Sequence, residues 1–312
     1  MRLLVADIGG TNTRCTVGTT SGELGKPAVF RNAEFPDLAT LLTRYLEPLH
    51  GPERPEMAAI AVAAPIRSDT VQMINLNWHF SRRGLQRQLQ LQELHVLNDF
   101  AALAWSLPTL AGRDLVQVGT GVAAPGYPKA VLGPGTGLGV AGLIALAEGW
   151  QAIPGEGGHV TLPAQDEREE QLIRAARERF GHCSAERLLS GAGLSFLHQA
   201  LHGGETMPPE QIGAQASARD APALETLEVF FRLLGSVAGN LALTLGAFGG
   251  VYIGGGIVPR FVEAFSRSGF RDRFESKGRY RDYMRGIPTW VITAPYPTLN
   301  GLLAFAAART SS

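Results

Sequence analysis

Residues 2–18 read RLLVADIGGTNTRCTVG, where one apolar run ends in Asp7 and a second run begins after Gly9, Gly10 and Thr11. Continuous apolar residues are typical of a buried strand, and glycines can take the positive φ of a tight turn. The stretch therefore predicts a strand, a glycine turn and a second strand, with an acidic residue where the first strand ends.

A similar pattern of strand, glycine turn and strand returns at residues 129–144, KAVLGPGTGLGVAGLI. Two matching units predict two domains of related plan. Strands alternate with helices elsewhere, and the pattern after residue 165 is mostly helical, which indicates an α/β fold. The elements predicted with bounds are a helix at Asp37–Leu49, strands at Met57–Ala64 and Leu94–Leu97, a helix that stops at Pro108, and helices at 166–180 and 184–201, the last with Ser184 as its cap.

The composition is that of an ordinary globular chain. The 312 residues include 28 Lys+Arg and 28 Asp+Glu, so no basic excess favours a nucleic-acid partner. Cys15 and Cys183 follow no metal-ligand spacing, and the N-terminus lacks the sections of a signal peptide, so we expect a cytoplasmic protein. Residues 233–259 carry no charge, but glycines interrupt them, and we expect a buried helix and a short strand rather than a membrane span.

The two glycine turns are candidates for binding phosphate. Backbone N–H groups in a glycine turn can form a concave site for an anion, so the turns at 8–11 and 133–139 could hold one polyphosphate. Asp7 is then a candidate ligand of Mg²⁺, directly or through water, because Mg²⁺ prefers one or two carboxylates plus substrate phosphates. Two ordinary hairpins would explain either turn alone. The string G-x-G-x-x-G at Gly137 is a weak signal, because no helix is predicted after it.

Further polar residues follow strands or lie in glycine-rich loops. Asn98 and Asp99 lie where a strand ends and a helix begins, which is where α/β proteins bind ligands, although a helix cap would also explain Asp99. Glu156 and His159 share the loop GEGGH, where a ligand role competes with structural hydrogen bonding. Glu186 lies at a predicted helix start, and alone it would be taken for a solvated charge.

The order of these motifs resembles that of bacterial glucokinases, the hexokinase-like family without the zinc motif. The motifs that carry the resemblance are VADIGGTNTR, LNDFAALAWSLP, GPGTGLGVAGLI, IPGEGGHVTL, ERLLSGAGL and FGGVYIGGGIVPRF, and they extend over nearly the whole chain. The resemblance implies two ribonuclease-H-like domains of the actin and hexokinase type with an interdomain cleft. The small α/β domain would comprise 1–109 plus about 294–312, and the large one 110–293.

The implied activity is ATP-dependent phosphorylation of D-glucose at the 6-hydroxyl, giving glucose 6-phosphate and ADP as the first step of glycolysis. The implied partners are glucose, ATP and Mg²⁺, with no nucleic acid or membrane, and the implied assembly is a homodimer. Asp99 would be the general base. The residues assigned to glucose are Asn98, Asp99, Glu156, His159 and Glu186, and those assigned to ATP are Ala6, Asp7, Ile8, Gly9, Gly10, Thr11, Gly135, Thr136, Gly137, Gly255 and Gly256.

Two stretches depart from the family pattern, a short connection at Ala124–Lys129 and the looser match TAPYPTLNGLLAF at 293–305. Three alternatives remain at the level of sequence. A kinase of another hexose would keep every motif. A non-catalytic sugar sensor would bring a DNA-binding segment, and no helix-turn-helix stretch precedes the first strand. A dinucleotide-dependent dehydrogenase would use G-x-G-x-x-G but would explain neither the duplicated turn nor the clustered polar residues.

Overall fold

A computed structural model describes residues 1–73 and 76–310. Its strands are β1 (Arg2–Ile8), β2 (Asn12–Thr19), β3 (Ala28–Arg31), β4 (Met57–Val62), β5 (Thr70–Gln72), β6 (His79–Ser81), β7 (Glu93–Asn98), β8 (Leu115–Val118), β9 (Lys129–Pro134), β10 (Leu138–Ala145), β11 (Trp150–Gly155), β12 (Val251–Ile253) and β13 (Thr289–Ile292). Its α-helices are α1 (Leu38–Leu46), α2 (Arg82–Gln88), α3 (Asp99–Ser106), α4 (Glu167–Phe180), α5 (Ala185–Leu188), α6 (Gly191–His202), α7 (Pro209–Ser217), α8 (Ala221–Leu245), α9 (Val262–Arg267), α10 (Phe270–Glu275), α11 (Arg281–Gly286) and α12 (Pro297–Thr310).

The chain divides into two compact units. The first comprises Met1–Ala111, Leu146–Pro154 and Ala294–Ser312, and the second comprises Gly112–Ala145 and Gly155–Thr293. Unlike the domain expected from the sequence, the first unit includes the segment Leu146–Pro154. The end of the expected small domain, 311–312, lies outside the described residues.

The first unit contains a five-stranded sheet of order β3-β2-β1-β4-β7. β1 pairs antiparallel with β2 and parallel with β4, and β4 pairs parallel with β7. Side chains alternate along β1, so Leu4, Ala6 and Ile8 pack in one core with α1, while Leu3 and Val5 pack in a second core with α12. Both faces of the sheet are therefore covered, and β4, which reads MAAIAV, is wholly apolar and buried.

Helix α12 lies unusually close to α3. A Cβ built on Gly301 would lie 1.8 Å from the backbone oxygen of Ala102, so only glycine permits this approach. Leu299, Leu302 and Leu303 of α12 are buried against Leu3 and the neighbouring strands. The C-terminal stretch that matched the family pattern loosely thus completes the core beneath the first sheet.

The second sheet has the order β11-β10-β9-β12-β13-β8, and it belongs to the second unit apart from most of β11. β9 pairs antiparallel with β10 and parallel with β12, and β12 pairs parallel with β13. The run β11-β10-β9-β12-β13 therefore matches β3-β2-β1-β4-β7 strand for strand in order. The pairs β10–β9, β9–β12 and β12–β13 also agree in direction with β2–β1, β1–β4 and β4–β7. The two sheets therefore share one strand order.

The uncharged stretch 233–259 forms the end of α8 and strand β12, as predicted. By length and composition α8 could cross a membrane, but 72% of its most apolar window is buried within the structure. Gly235 and Gly239 bring α8 against α10, since a Cβ at either would lie within 2.7 Å of a backbone oxygen of α10. These contacts are those of a helix in the core of a folded unit.

The helix predicted at 184–201 is interrupted. Ser184 caps α5 by accepting a hydrogen bond from Arg187 N at 3.4 Å, as predicted, but α5 ends at Leu188. Ser190 then caps α6 by accepting from Gly193 N at 3.1 Å. The helix does not continue through Ser190, because Gly191 N donates to Gly135 O of the second glycine turn and the Ser190 side chain begins a new helix. The break leaves Glu186 on a short helix beside the second glycine turn.

Candidate active site

The carboxyl ends of three parallel strands meet at one edge of the first sheet. Ile8 of β1 aligns with Val62 of β4, and Val62 aligns with Asn98 of β7. Asp7, Asn98 and the turn after Ile8 therefore share this edge, and Asp99 directly follows it. Edges of this kind are where α/β sheets bind ligands.

Asp7 is partly shielded at this edge, with 22% of its side chain exposed. Burial raises the pKa of its carboxyl group to about 6, and the guanidinium of Arg14 opposes that rise from 3.9 Å. Arg14 aligns with Asp7 across the β1–β2 hairpin. The sequence-based assignment did not include Arg14, although its position on the second strand of the hairpin was a signal for this pairing.

The first glycine turn is held by hydrogen bonds rather than by a left-handed glycine. Gly9 N donates to Asn12 O at 3.0 Å, and the φ of Gly9 lies outside the left-handed range, so the prediction of positive φ at Gly9 was wrong. Glycine is favoured there by space, because a Cβ would lie 3.2 Å from Asn12 O. Asn32, which the sequence did not single out, bonds to the turn through both its side chain and its backbone.

Asn98, and not Asp99, caps helix α3. Asn98 Oδ1 accepts hydrogen bonds from Phe100 N at 3.0 Å and from Ala101 N at 3.1 Å. Asp99 Oδ1 accepts from Phe100 N at 2.9 Å, so one carboxylate oxygen is oriented by the start of the helix. Capping of α3 therefore does not explain the presence of Asp99. In Asn98 the oxygen is occupied by the cap, and the amide nitrogen can bind a ligand.

The second glycine turn packs backbone against backbone. A Cβ on Gly133 would lie 2.5 Å from Gly254 C, and one on Gly255 would lie 2.4 Å from Pro134 O. Gly255 also has a backbone φ of +80°, a value that residues with a side chain rarely adopt. The glycine segment after β12 thus lies directly against the glycine turn after β9. The strand β10 follows that turn, so G-x-G-x-x-G here does not open a helix, as the sequence indicated.

Three of the predicted sugar-binding residues come together in the second unit. His159 Nδ1 lies 3.9 Å from Glu186 Oε1, and His159 Nε2 lies 4.0 Å from Glu156 Oε2. The exposed fraction of the side chain is 59% for His159, 50% for Glu156 and 33% for Glu186, so all three reach solvent. Two carboxylates flanking an imidazole can accept and donate hydrogen bonds to several hydroxyl groups at once.

Glu186 also fixes the second glycine turn. Its Oε2 accepts a hydrogen bond from Leu138 N at 2.9 Å, and a Cβ on Gly137 would lie 2.4 Å from that oxygen. Within the second unit, one carboxylate therefore links the phosphate-binding candidate turn to His159. The interpretation of Glu186 as a solvated charge is replaced by this contact, which joins residues 48 apart in the chain.

The carboxylate of Asp7 fits a loosely held Mg²⁺ better than a metal whose ligands are all protein side chains. Among the described residues, no group of three or more His, Cys, Asp or Glu side chains is arranged to hold a metal ion. Mg²⁺ usually keeps several waters and binds through one or two carboxylates plus substrate phosphates. A single shielded carboxylate beside a glycine turn is compatible with that mode of binding.

A sequence model of the glucokinase family matches residues 4–309. The chain belongs to the glucokinase family. The glucokinase of Chromobacterium violaceum is 48% identical over 307 residues, which cover 96% of this chain and 88% of that protein. A bifunctional protein glk of Paraburkholderia xenovorans is 44% identical over 99% of this chain, but this chain spans only 49% of its length.

The crystal structure of a glucokinase from an Antarctic psychrotroph superimposes on this family member with a TM-score of 0.86. That structure is 34% identical in sequence, and the match covers 100% of this chain and 99% of the other. The family that the motifs indicated is thus confirmed by matches along almost the whole chain.

Proposed function

We propose that this glucokinase-family protein transfers the γ-phosphoryl group of ATP to the 6-hydroxyl of D-glucose, giving glucose 6-phosphate and ADP. The observation that carries the proposal is the family match over residues 4–309. It is supported by two clusters of polar groups, one at the edge of the first sheet and one beside the second glycine turn. In metabolism the reaction would be the first step of glycolysis.

Asp99 serves as the general base in this proposal. As the 6-hydroxyl oxygen bonds to the γ-phosphorus, Asp99 accepts its proton, and the bond from phosphorus to the β–γ bridging oxygen breaks with its electron pair leaving on ADP. Phosphoryl transfer depends mainly on position and charge neutralisation, so a base held by the start of a helix is well suited to it. The hydrogen bond from Phe100 N holds one Asp99 oxygen at 2.9 Å.

The glycine segments bind the nucleotide in this proposal. Ala6–Thr11 and Gly135–Gly137 line the phosphates, while Gly255 and Gly256 lie on the adenosine side. The N–H groups of Gly9 and Gly135 already bond within their own turns, so they are not among the phosphate donors. Thr11, Thr136, Gly255 and Gly256 are exposed, so a ligand can reach them. Asp7 would hold Mg²⁺, directly or through water, and the metal would neutralise phosphate charge.

The sugar is recognised by groups from both units in this proposal. Glu156, His159 and Glu186 bind hydroxyls in the second unit, and Asn98 and Asp99 bind them in the first. Because Asn98 Oδ1 already caps α3, Asn98 contributes its amide nitrogen as a donor. A site built to bond several hydroxyls rejects sugars that lack or misplace one, since its polar groups would be left unpaired.

The architecture proposed is a pair of ribonuclease-H-like domains with a cleft between them. Its support is the repeated sheet order, in which a hairpin is followed by two parallel strands on the far side of the first strand. Binding one sugar from two units would exclude water from the transferred phosphoryl group. The cytoplasmic location belongs to the same proposal and is supported by the two free cysteines, Cys15 and Cys183. The homodimer rests on the family resemblance.

A coupled assay of ADP release with a panel of hexoses tests the proposal. Glucose should be phosphorylated with Mg·ATP at a higher kcat/KM than mannose, fructose or glucosamine. A preference for another hexose would replace the substrate and retain the kinase. No ADP release with any hexose, together with binding of NADH but not of Mg·ATP, would refute the kinase assignment.

A further inference from the structure

Asn32 is a buried polar residue beside the first glycine turn. It follows β3 and is 2% exposed. Its Nδ2 donates to Gly9 O at 2.8 Å, its Oδ1 accepts from the Thr13 hydroxyl at 2.8 Å, and its backbone N donates to Thr11 O at 2.9 Å. One residue thus makes three hydrogen bonds to the segment Gly9–Thr13.

These bonds bear on the direction of the N–H groups in the first glycine turn. A peptide unit is planar and trans, so its C=O and N–H point in opposite directions. With Gly9 O held toward Asn32, the N–H of Gly10 in the same peptide unit points away from Asn32. With Thr11 O held in the same way, the N–H of Asn12 also points away. Asn32 therefore fixes the orientation of two donors, the N–H of Gly10 through its side chain and the N–H of Asn12 through its backbone.

Replacing the Asn32 side chain costs free energy, because both its amide oxygen and its amide nitrogen make buried hydrogen bonds. Removing one partner leaves a buried carbonyl or hydroxyl without a hydrogen bond, and the segment relaxes to recover it. At Gly9 the atom nearest to a Cβ would be Asn12 O at 3.2 Å, whereas the glycine segments after β9 and β12 in the second unit pack backbone on backbone. Relaxation in the first turn would therefore rotate the peptide units whose N–H groups face the ligand.

We propose that Asn32 is a positioning residue for the nucleotide phosphates: by holding Gly9 O and Thr11 O, it orients the backbone donors of the first glycine turn. The inference rests on the proposed function, in which this turn binds ATP. Asn32 itself touches neither substrate, so its effect is on nucleotide binding and not on the proton transfer or on the sugar.

The test compares Asn32→Leu and Asn32→Asp with the wild-type protein. Leucine keeps a side chain branched at Cγ and removes both side-chain hydrogen bonds. Aspartate keeps the acceptor for Thr13 and removes the donor to Gly9 O, so it tests that bond if the leucine variant does not fold. Thr226→Val is the matched control, because Thr226 is a fully buried, hydrogen-bonded residue of the second unit. KM for ATP, KM for glucose and Kd for ADP by calorimetry are measured for each.

Both Asn32 variants should raise KM for ATP and Kd for ADP about tenfold, with KM for glucose changed less than about twofold. Thr226→Val should lower the melting temperature and leave the affinity for ADP unchanged. Unchanged Kd for ADP in a folded Asn32 variant would overturn the inference, as would equal losses for glucose and ATP. If the wild-type protein does not phosphorylate glucose, the proposed function fails, while the ADP titration still decides the role of Asn32.

Discussion

The two glycine turns occupy equivalent positions in the two sheets but are held in different ways. After β1, the turn is closed by the bond from Gly9 N to Asn12 O, and the buried Asn32 holds it by hydrogen bonds to residues 19–23 positions earlier. After β9, the turn is held by close backbone contact with Gly254 and Gly255 and by the carboxylate of Glu186. The repeated sheet order therefore does not require a repeated way of fixing the loop.

The difference has consequences for tolerance to substitution. Hydrogen bonds from a side chain can be weakened by one substitution without a steric conflict. At Gly133 and Gly255 of the second unit, an added Cβ would lie closer than 3 Å to backbone atoms, so a side chain there requires a strand end to move. We therefore expect substitutions in the first turn to change mainly the affinity for nucleotide. Substitutions in the second turn should mainly lower the free energy of unfolding.

The largest expected effect distinguishes proton transfer in the first unit from sugar binding in the second. Asp99→Asn should lower kcat by about 10²–10⁴, because the amide keeps the shape and an acceptor but cannot take the proton. Glucose binding should stay measurable by calorimetry.

The contrasting variant in the second unit is Glu156→Gln, which should raise KM for glucose more than it lowers kcat. A variant Asp99→Asn that retains more than about half of the wild-type kcat, measured in the same ADP-release assay, would remove Asp99 from the role of base.

The next effect concerns stability. Gly255→Ala should lower the free energy of unfolding by about 3 kcal/mol, since it combines a left-handed backbone conformation with a Cβ pressed on Pro134 O. Gly256→Ala is the matched control, because nothing lies within 4 Å of its Cβ and its φ is not left-handed. Urea unfolding measures both. Equal loss in the two variants would show that the backbone contact does not hold the second turn.

A smaller effect is expected at the carboxylate that joins the second turn to the sugar site. Glu186→Gln should raise KM for glucose about tenfold, since the hydrogen bonds of a carboxylate are stronger than those of an amide. The amide oxygen still accepts from Leu138 N, so KM for ATP should change less. A larger rise in KM for ATP than for glucose would assign Glu186 mainly to the turn.

The smallest effect is expected in the first turn. Gly9→Ala should lower the free energy of unfolding by at most about 1 kcal/mol, because its φ is not left-handed and the nearest atom to a Cβ lies 3.2 Å away. Urea unfolding compared with Gly255→Ala gives the contrast directly. If the two alanine variants lose the same stability, the two turns are held equally rigidly.

Much of this architecture could be predicted from local sequence. The hairpin β1–β2, its repeat at β9–β10, the amphipathic helix α4 and the buried end of α8 all follow from apolar periodicity and glycine placement, which act over a few residues. The strand ending at Asn98 was likewise visible because a helix pattern begins directly after it.

The parts that were missed depend on contacts between distant residues. Asn32 lies in an unremarkable polar stretch, and its bonds to Gly9 and Thr13 leave no periodic signal in the sequence. The contact of Glu186 with Leu138 is of the same kind. The φ of Gly9 was also predicted wrongly, because a glycine chosen for close approach and one chosen for a left-handed turn look identical in a sequence.

The position of α12 has a consequence for synthesis of the protein on the ribosome. The core beneath β1 and β4 includes Leu299, Leu302 and Leu303 of α12. Gly301 allows α12 to pack closely against α3. A nascent chain that has exposed the whole first sheet still lacks this layer until the second unit has been translated. At about 5–20 residues per second, the delay is on the order of 10 s, during which Leu3 and Val5 lack their native cover. The second unit can complete its core during synthesis, so we expect it to fold first, and chaperones would meet this protein chiefly through its N-terminal strands.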